Sequence, residues 1–257
     1  MNKPSIIAFL GKGGVGKTIL SALFGKIFIE QGKKVLFIDA DPAMGLSTAL
    51  NISGFKTIGK SREEIIKIVK SAKTQEEKDG LSDVIDYLLL ESVFDTAKFS
   101  MLAMGYTDTL GCYCPLNTIL KTTIEYVSSK FDVVIIDAEA GIEQVGRQVV
   151  ETVNYPIIVC DNSLRSINTA ILLKETMARI PKMIPTKTGV IFNRVNEIDD
   201  SLMEKLRTEG LITYGQVSPD GLISEFDKKG ISILTIDKNI NPLLEIQKIL
   251  SEMLKMN

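Results

Sequence analysis

Two groups of residues in this sequence have the types and spacing for chemistry: a glycine-rich run that carries two lysines, and a pair of cysteines. The run reads Gly11-Lys12-Gly13-Gly14-Val15-Gly16-Lys17-Thr18. It follows a short apolar segment and precedes a helical pattern from about Lys17 to Glu30, which is the context of a phosphate-binding loop. In such a loop the backbone N–H groups cradle phosphates, a lysine neutralises the β- and γ-phosphates, and a hydroxyl binds Mg²⁺. The sequence therefore predicts a nucleoside triphosphate site in which Lys17 and Thr18 have these two roles.

The second group is the pair Cys112 and Cys114, which could bind a metal ion. The chain has three cysteines and no histidine, so a soft ion has few other ligands to choose from. Residues i and i+2 of an extended segment point the same way, and Pro115 suits the start of a helix whose N-terminus would favour the Cys114 thiolate. Two buried apolar cysteines are the alternative, but the flanking Gly111 and Pro115 favour an exposed loop. Cys160 ends an apolar run and is predicted to lie in the core.

Two thiolates cannot complete a four-coordinate metal site. A two-fold symmetric dimer would bring the same surface of both subunits together and supply four. Such a set suits Zn²⁺, and Ni²⁺ can also use sulfur ligands. We therefore predict a metal-binding segment at about residues 104–116 and one ion per homodimer. Metal should promote dimerisation, because the whole site exists only in the dimer.

The elements that must position these residues follow from the hydropathy pattern. Short, apolar, β-branched runs alternate with helical patterns, which is typical of a mostly parallel sheet with helices on both faces. We predict one α/β P-loop NTPase domain over residues 1–257. A capping-box pattern, Ser61-x-x-Glu64, predicts that a helix begins at Ser61. The predicted strands are Ser5–Leu10, Lys34–Asp39, Phe99–Met104, Asp132–Asp137, Pro156–Asp161, Thr188–Asn193, Ile212–Val217 and Ile231–Ile236.

Charge and hydropathy argue against several classes of partner. The chain has 30 basic and 32 acidic residues, which predicts no basic surface for nucleic acid. No segment reaches the roughly 18 apolar residues of a membrane span, and no signal-peptide pattern is present, so we expect a cytoplasmic protein without a membrane partner. The last segment has an apolar stripe at helical spacing without a basic polar face, which favours packing on the domain over membrane binding. The stripe comprises Leu243, Ile246, Leu250 and Met253.

Several of these residues resemble one family of P-loop ATPases. A lysine directly after the first glycine, here Lys12, marks the deviant Walker A ATPases, which include partition ATPases, division-site ATPases and the nitrogenase iron protein. The segment Asp39-Ala40-Asp41-Pro42 and the apolar run that ends at Asp137 resemble that family's first switch and its Walker B strand. Asn193-Arg194 resembles its adenine-binding site, where an asparagine amide both donates to and accepts from the base.

The resemblance implies a role for each residue and ATP as the nucleotide. Lys12 would reach across a dimer to the partner's nucleotide, and Asp41 would orient the attacking water. Asp39 and Asp137 would support the Mg²⁺ shell together with Thr18. Carboxylates that are merely solvated at a strand end are the alternative for Asp39 and Asp41. ATP would also draw two subunits together.

The whole combination resembles the CooC-type nickel-maturation ATPases of carbon monoxide dehydrogenase. It comprises the P-loop, the Asp-x-Asp-Pro segment, Asp137-x-Glu139-Ala140-Gly141-Ile142-Glu143 and the central Cys-x-Cys. The resemblance implies an ATP-dependent homodimeric metallochaperone in which Cys112 and Cys114 bind Ni²⁺, or Zn²⁺ in vitro. ATP hydrolysis would be coupled to insertion of nickel into the active-site cluster of carbon monoxide dehydrogenase, the client enzyme.

Two alternatives remain open at this point. One is an iron–sulfur redox ATPase like the nitrogenase iron protein, but that family places a second cysteine soon after the Walker B aspartate and residues 138–146 contain none. The other is a spatial-organisation ATPase like MinD or ParA, for which we would expect a basic patch or a basic terminal helix.

Overall fold

The computed structural model describes residues 4–72, 74, 80–106, 124–138, 153–179 and 188–255. Within them, eight strands form one sheet in the order β3-β4-β2-β5-β1-β6-β7-β8. All neighbouring strands are parallel except β3 and β4, so the predicted mostly parallel α/β sheet is confirmed. The strands are β1 (Ser5–Gly11), β2 (Val35–Asp39), β3 (Phe94–Asp95), β4 (Phe99–Ala103), β5 (Val133–Asp137), β6 (Tyr155–Cys160), β7 (Gly189–Asn193) and β8 (Ile212–Val217).

The central strands are apolar on both faces because helices cover both faces. β2, β5, β6 and β7 are buried along their whole length. Along β1, alternate residues join opposite cores. Ile6 and Ala8 belong to one core cluster, and Ile7 and Phe9 belong to the other. The Phe9 ring meets the edge of Phe24 on the first helix at 4.9 Å between centroids.

The helix that follows the P-loop, α1 (Lys17–Glu30), has the predicted bounds. α1 is buried over almost its whole length, since it packs against β5 and β1 on one side and against the second and the last helices on the other. Residues 124–128 are also helical. The helices are α1 (Lys17–Glu30), α2 (Gly45–Ala49), α3 (Ile58–Ser71), α4 (Leu81–Leu90), α5 (Leu164–Ala178), α6 (Asp200–Thr208), α7 (Gly221–Lys229) and α8 (Asn241–Lys255).

The last helix, α8, confirms the predicted apolar stripe and its packing. Leu243, Ile246, Leu250 and Met253 are buried, and α8 lies against β8 and α1. The stripe is therefore part of the domain core rather than a free surface. Among the described residues, no helix is long and apolar enough to cross a membrane.

One predicted strand is wrong and one strand was not predicted. Within Ile231–Ile236, residues Ile233–Thr235 form a 3-10 turn instead of a strand. Ile233 and Ile236 are buried in the core on the α1 side of the sheet. The segment is apolar because these side chains pack in that core, not because it pairs as a strand. The unpredicted strand, β3, has only two residues and pairs with β4.

The predicted start of the third helix is also wrong. α3 begins at Ile58, and its cap is Thr57, whose hydroxyl accepts a hydrogen bond from the backbone N–H of Lys60 at 3.3 Å. Ser61 lies inside the helix, where its hydroxyl is buried and shares a 2.7 Å hydrogen bond with the hydroxyl of Ser92. The serine that suggested a cap therefore joins α3 to the end of α4.

Candidate nucleotide-binding site

The candidate site lies where strands β1, β2, β5 and β7 end. Their carboxyl ends lie at one edge of the sheet, and ligands of open α/β sheets bind outside that edge. β1 leads directly into the loop Gly11–Gly16, and α1 begins at Lys17. Asp39, Asp137 and Asn193 end strands β2, β5 and β7 at this same edge.

Two glycines of the loop have no room for a side chain. Gly11 and Gly16 have φ angles of 137° and 88°, a region that other residues rarely adopt. A Cβ atom on Gly11 would lie 2.4 Å from the carbonyl oxygen of Val159, and one on Gly16 would lie 2.3 Å from Nδ2 of Asn193. The loop therefore packs closely against β6 on one side and against the end of β7 on the other.

Lys17 is buried, and its ammonium group lies inside the loop. Its Nζ donates hydrogen bonds to the carbonyl oxygens of Gly11 and Lys12, each at 3.3 Å. The loop carbonyls thus hold the positive charge at the N-terminus of α1, where backbone N–H groups also favour an anion. This arrangement suits a phosphate group and matches the predicted role of Lys17.

The Lys12 side chain is paired with a carboxylate that follows β6. Its Nζ lies 3.7 Å from Oδ2 of Asp161, which follows β6, and both side chains are partly exposed. Asp161 is in turn hydrogen-bonded by the hydroxyl of Ser163, the residue that caps α5. The lysine predicted to act on a partner's nucleotide is therefore paired within its own chain.

Two aspartates lie side by side below the loop. Asp39 and Asp137 are register partners in the β2–β5 pair, and their side chains are 0% and 1% exposed. Oδ2 of Asp39 accepts hydrogen bonds from the backbone N–H of Ser47 at 2.9 Å and from its hydroxyl at 3.0 Å. Oδ1 of Asp137 lies 3.4 Å from the hydroxyl of Ser21, and Thr18 also donates to Asp137.

Burial makes the charge of both aspartates costly. It raises the pKa of Asp137 to about 7, with Asp39 and Asp41 raising it further and Thr18 and Lys17 opposing the rise. Burial also raises the pKa of Asp39, against the hydrogen bonds from Ser47. A hard divalent cation prefers carboxylate and hydroxyl oxygens, and it would stabilise the ionised forms. The donor set of Thr18, Asp39 and Asp137 therefore fits Mg²⁺.

The segment after β2 returns to the loop. Oδ1 of Asp41 accepts a hydrogen bond from the backbone N–H of Ala43 at 2.9 Å, and the Asp41 N–H points to Oδ1 of Asp39 at 3.3 Å. Met44, with a left-handed φ of 55°, starts α2, and Gly45 lies against Thr18. Asp41 is partly exposed at the mouth of the site, which suits a residue that orients a water molecule.

Asn193 joins the end of β7 to the P-loop. Its Nδ2 donates a 2.8 Å hydrogen bond to the carbonyl oxygen of Val15. Because the amide nitrogen is used in this way, the side chain can offer its oxygen to the amino group of an adenine. Arg194 follows in the left-handed conformation, φ 61°, and its guanidinium group lies beside Gly16.

A small cavity of about 50 Å³ opens beside Asn193. Apolar side chains of α1 line part of it, and the segment that joins β8 to α7 lines another part. A cavity with an apolar wall and a convergent amide suits a flat heterocycle. The cavity is lined by Ile19, Leu23, Asn193, Arg194, Val217, Ser218, Pro219, Asp220, Ile223 and Ser224.

Comparisons with known proteins show the family of this chain. The sequence pattern of the AAA domain family matches residues 4–189. The chain belongs to this family of P-loop ATPases. It is 31% identical over 248 residues to an uncharacterized ATP-binding protein of Methanocaldococcus jannaschii, with 95% of this chain and 96% of the relative covered.

Three further comparisons show one similar sequence and two similar folds. It is 26% identical to the carbon monoxide dehydrogenase accessory protein CooC of Rhodospirillum rubrum over 249 residues, 88% of each chain. Its fold is similar to the cell division ATPase MinD of Pyrococcus furiosus, with a TM-score of 0.70, 18% identity, and 98% and 99% of the chains covered. A ParA family ATPase of Chlorobium tepidum gives a TM-score of 0.69 at 19% identity over 100% of both chains.

Of the three cysteines of this ATPase, the part of the chain that the structure describes contains Cys160. Cys112 and Cys114 lie outside the described residues, as does Glu139. Cys160 is fully buried, as predicted, and burial raises the pKa of its thiol to about 12. A thiol with such a pKa stays protonated at neutral pH and is a poor metal ligand.

Three residues of this ATPase's site were not predicted from sequence. Ser21 is four residues after Lys17, so the helical period alone could have placed it below the loop. Ser47 supports Asp39 from α2, and Asp161 pairs with Lys12. No local sequence pattern indicated Ser47 or Asp161, because tertiary packing brings them to the site.

Proposed function

We propose that this ATPase is a homodimeric metallochaperone of the cytoplasm that binds nickel through Cys112 and Cys114. It couples ATP binding and hydrolysis to insertion of nickel into the active-site cluster of carbon monoxide dehydrogenase. The observation that carries the proposal is the Cys-x-Cys pair in a chain whose relatives include the carbon monoxide dehydrogenase accessory protein CooC. That relative covers 88% of this chain, so the likeness is not confined to the P-loop.

The described residues supply the ATPase half of this function. The loop N–H groups and Lys17 bind the phosphates, and Thr18, Asp39 and Asp137 hold Mg²⁺ or its water shell. Bound Mg²⁺ neutralises charge on the β- and γ-phosphates. Asp41, at the mouth of the site, orients the attacking water. These groups act mainly by positioning and charge, which is how phosphoryl transfer is generally catalysed.

Lys12 supplies the link between nucleotide and dimer. In the single chain its ammonium pairs with Asp161, and both side chains are partly exposed. In the proposed dimer it leaves that carboxylate and binds the partner's nucleotide, where the phosphate charge is higher. ATP binding therefore favours the dimer, and hydrolysis weakens it.

The nickel half of the function depends on symmetry. One chain offers two usable thiolates, since Cys160 is buried and protonated. Two chains offer four, which suffices for one ion on the dimer axis. Because ATP and metal both favour the dimer, each must change the affinity for the other by the same factor. Hydrolysis can then convert tight binding of nickel into release to the client.

A membrane-organising function is less well supported. The apolar stripe of α8 could have bound a lipid surface, but its four residues are buried in the core. A membrane-bound form would have to expose that stripe and leave a cavity below β8, which is costly. Co-sedimentation with anionic vesicles in the presence of ATP would detect such binding, and we expect none.

The decisive experiment measures metal and subunit stoichiometry together. The reduced protein is loaded with Ni²⁺ or Zn²⁺, and the metal content and mass of the complex are measured. We expect 0.5 ion per chain in a dimer, and loss of tight binding in Cys112→Ser and Cys114→Ser. Cys160→Ala is the matched control and should bind normally. One ion per chain, or unchanged affinity in the double serine variant, would contradict the shared site.

Transfer to the client is tested separately. Nickel-loaded protein is mixed with nickel-free carbon monoxide dehydrogenase, with and without ATP, and nickel in the client is measured after separation. We expect ATP to increase the transfer several-fold, and Lys17→Ala to remove that increase. Equal transfer with and without ATP would refute the coupling.

A further inference from the structure

The wall of the small cavity beside Asn193 is held by a residue of the last helix. One carboxylate oxygen of Glu245, Oε2, accepts two hydrogen bonds from Ser218: from its backbone N–H at 2.7 Å and from its hydroxyl at 3.0 Å. Glu245 and Ser218 are both half-buried. Hydrogen bonds to an ionised, partly buried acceptor are stronger than those between neutral groups.

The segment that these bonds hold is short and has few other means of support. Ser218 follows β8, and Asp220 caps α7 through the N–H groups of Leu222 and Ile223 at 2.8 and 3.1 Å. Pro219, between them, has no N–H to give. The segment is therefore fixed by its own helix cap at one end and by Glu245 at the other.

The same segment is tied to Asn193. Asn193 and Val217 are register partners in the β7–β8 pair, and the N–H of Val195 donates to the carbonyl of Val217 at 3.1 Å. A displacement of Ser218 would therefore alter the cavity that Ser218 lines together with Asn193 and α1. This is the cavity to which we assign the adenine.

We propose that Glu245 is a positioning residue for the nucleotide base. It acts through Ser218 and sets the width of the cavity between the Ser218–Asp220 segment and α1. The phosphates bind at the P-loop, outside this cavity. This inference rests on the assignment of the cavity to the base within the proposed function. Through Glu245, α8 then stabilises the nucleotide site. Nucleotide binding and the packing of α8 on the domain consequently favour each other.

The test separates base binding from phosphate binding in the full-length protein. The affinities for Mg²⁺-ATP and for inorganic tripolyphosphate are measured in the wild type, Glu245→Ala and Glu245→Gln. We expect Glu245→Ala to weaken ATP binding by roughly three- to thirty-fold and to leave tripolyphosphate binding within about two-fold. The expected loss is smaller than the roughly 10- to 150-fold of a hydrogen bond to a charged group, because Glu245 acts on the base only through Ser218. Glu245→Gln keeps an acceptor oxygen and should recover part of the loss.

Kinetics and base preference provide a second measurement. Glu245→Ala should raise KM for ATP with little change in kcat, and it should reduce the preference for ATP over GTP. Glu225→Ala is the matched control, because Glu225 is on the neighbouring α7 and pairs with exposed Lys229. It should behave as wild type in every assay.

Two results would overturn the inference. One is unchanged ATP affinity in Glu245→Ala, and the other is an equal loss of ATP and tripolyphosphate binding, which would indicate a general structural role for α8. Asn193→Ala distinguishes this failure from a failure of the base assignment. If Asn193→Ala leaves ATP affinity and base preference unchanged, the cavity is not the base site.

Discussion

The ammonium of Lys12 lies 3.7 Å from Oδ2 of Asp161 in the same chain, and both side chains are partly exposed. A lysine cannot keep this partner and also bind a second subunit's nucleotide. In the proposed dimer, this ion pair would therefore compete with the contact between Lys12 and the partner's nucleotide. Exposed ion pairs are weak, so the competition would be mild and reversible, as the proposed cycle of association and release requires.

Asp161→Asn should tighten the ATP-dependent dimer. A symmetric dimer releases two such pairs, so removal of the carboxylate should lower the dimer dissociation constant roughly two- to thirty-fold. Sedimentation with a non-hydrolysable ATP analogue measures it. Glu197→Gln removes the same charge from a neighbouring exposed position and should have little effect. A weaker dimer in Asp161→Asn would mean that Asp161 binds the partner instead.

Lys12→Ala should abolish most of the ATP-induced dimer while each chain still binds ATP. In the proposed site the loop N–H groups and Lys17 bind the phosphates of their own chain, whereas the Lys12 ammonium is paired with Asp161. Light scattering reports the dimer, and calorimetry reports the nucleotide. An unchanged dimer would remove the proposed role of Lys12 in the partner's site.

Lys17→Ala should weaken ATP binding by about 100-fold or more, because it removes a buried positive charge from a phosphate site. Calorimetry checks the affinity, and a thermal melt checks that the variant is folded. Lys33→Ala, at an exposed position after α1, is the control. Near-normal ATP affinity in Lys17→Ala would refute the phosphate-site assignment.

Asp41→Ala should bind ATP with nearly normal affinity and hydrolyse it about 100-fold more slowly. A group that orients water acts in the transition state and adds little to ground-state binding. The ATP-bound dimer should consequently accumulate, which single-turnover kinetics and sedimentation can both detect. Wild-type turnover in this variant would assign water positioning to another residue.

Asp137 should make the Mg²⁺-free protein less stable as pH rises. Its pKa is raised from 3.8 to about 7 in the folded chain, so the native state holds a proton that the unfolded state has lost. The resulting contribution to stability is complete below pH 3.8 and is lost as pH rises through about 7. In the proposed site Mg²⁺ binds the ionised form of Asp137, so its affinity should rise with pH up to about 7 and then level off.

Thermal melts of Asp137→Asn without Mg²⁺ test this linkage. The variant should melt above the wild type at pH 8, and the difference should shrink toward pH 5, since a neutral amide avoids the cost of a buried charge. Asp227→Asn, at an exposed position, should show no such trend. A constant difference across this range would mean that Asp137 is already ionised in the folded, Mg²⁺-free protein.

Sequence was most informative where chemistry and local pattern coincide. The P-loop, the strand-end aspartates and the mostly parallel sheet could be predicted. Parallel strands place their carboxyl ends at one edge of the sheet, and the crowded loop requires glycines. α1 and the buried stripe of α8 followed from the helical period alone. These features depend on residues near one another in the chain.

Prediction failed where distant residues decide the outcome. Ser61 has the local signature of a helix cap, yet its hydroxyl is paired with Ser92 and Thr57 is the cap. Glu245 and Ser218 are 27 residues apart, and no periodicity links them. The segment Ile231–Ile236 is as apolar as a strand, but it is used to fill the core below α1.

The crowding between Gly16 and Asn193 limits how nucleotide preference can change. Because Nδ2 of Asn193 occupies the place where a Gly16 Cβ would lie, neither position can accept a bulkier residue unless the other retreats. In the proposed base site, a redesign toward guanine that begins with a larger side chain at Asn193 would push on the phosphate loop and should damage catalysis before it alters selectivity. New base preferences should therefore be easier to reach through the Ser218–Asp220 segment, because the atoms nearest to a Gly16 Cβ belong to Asn193 and Arg194 and not to that segment.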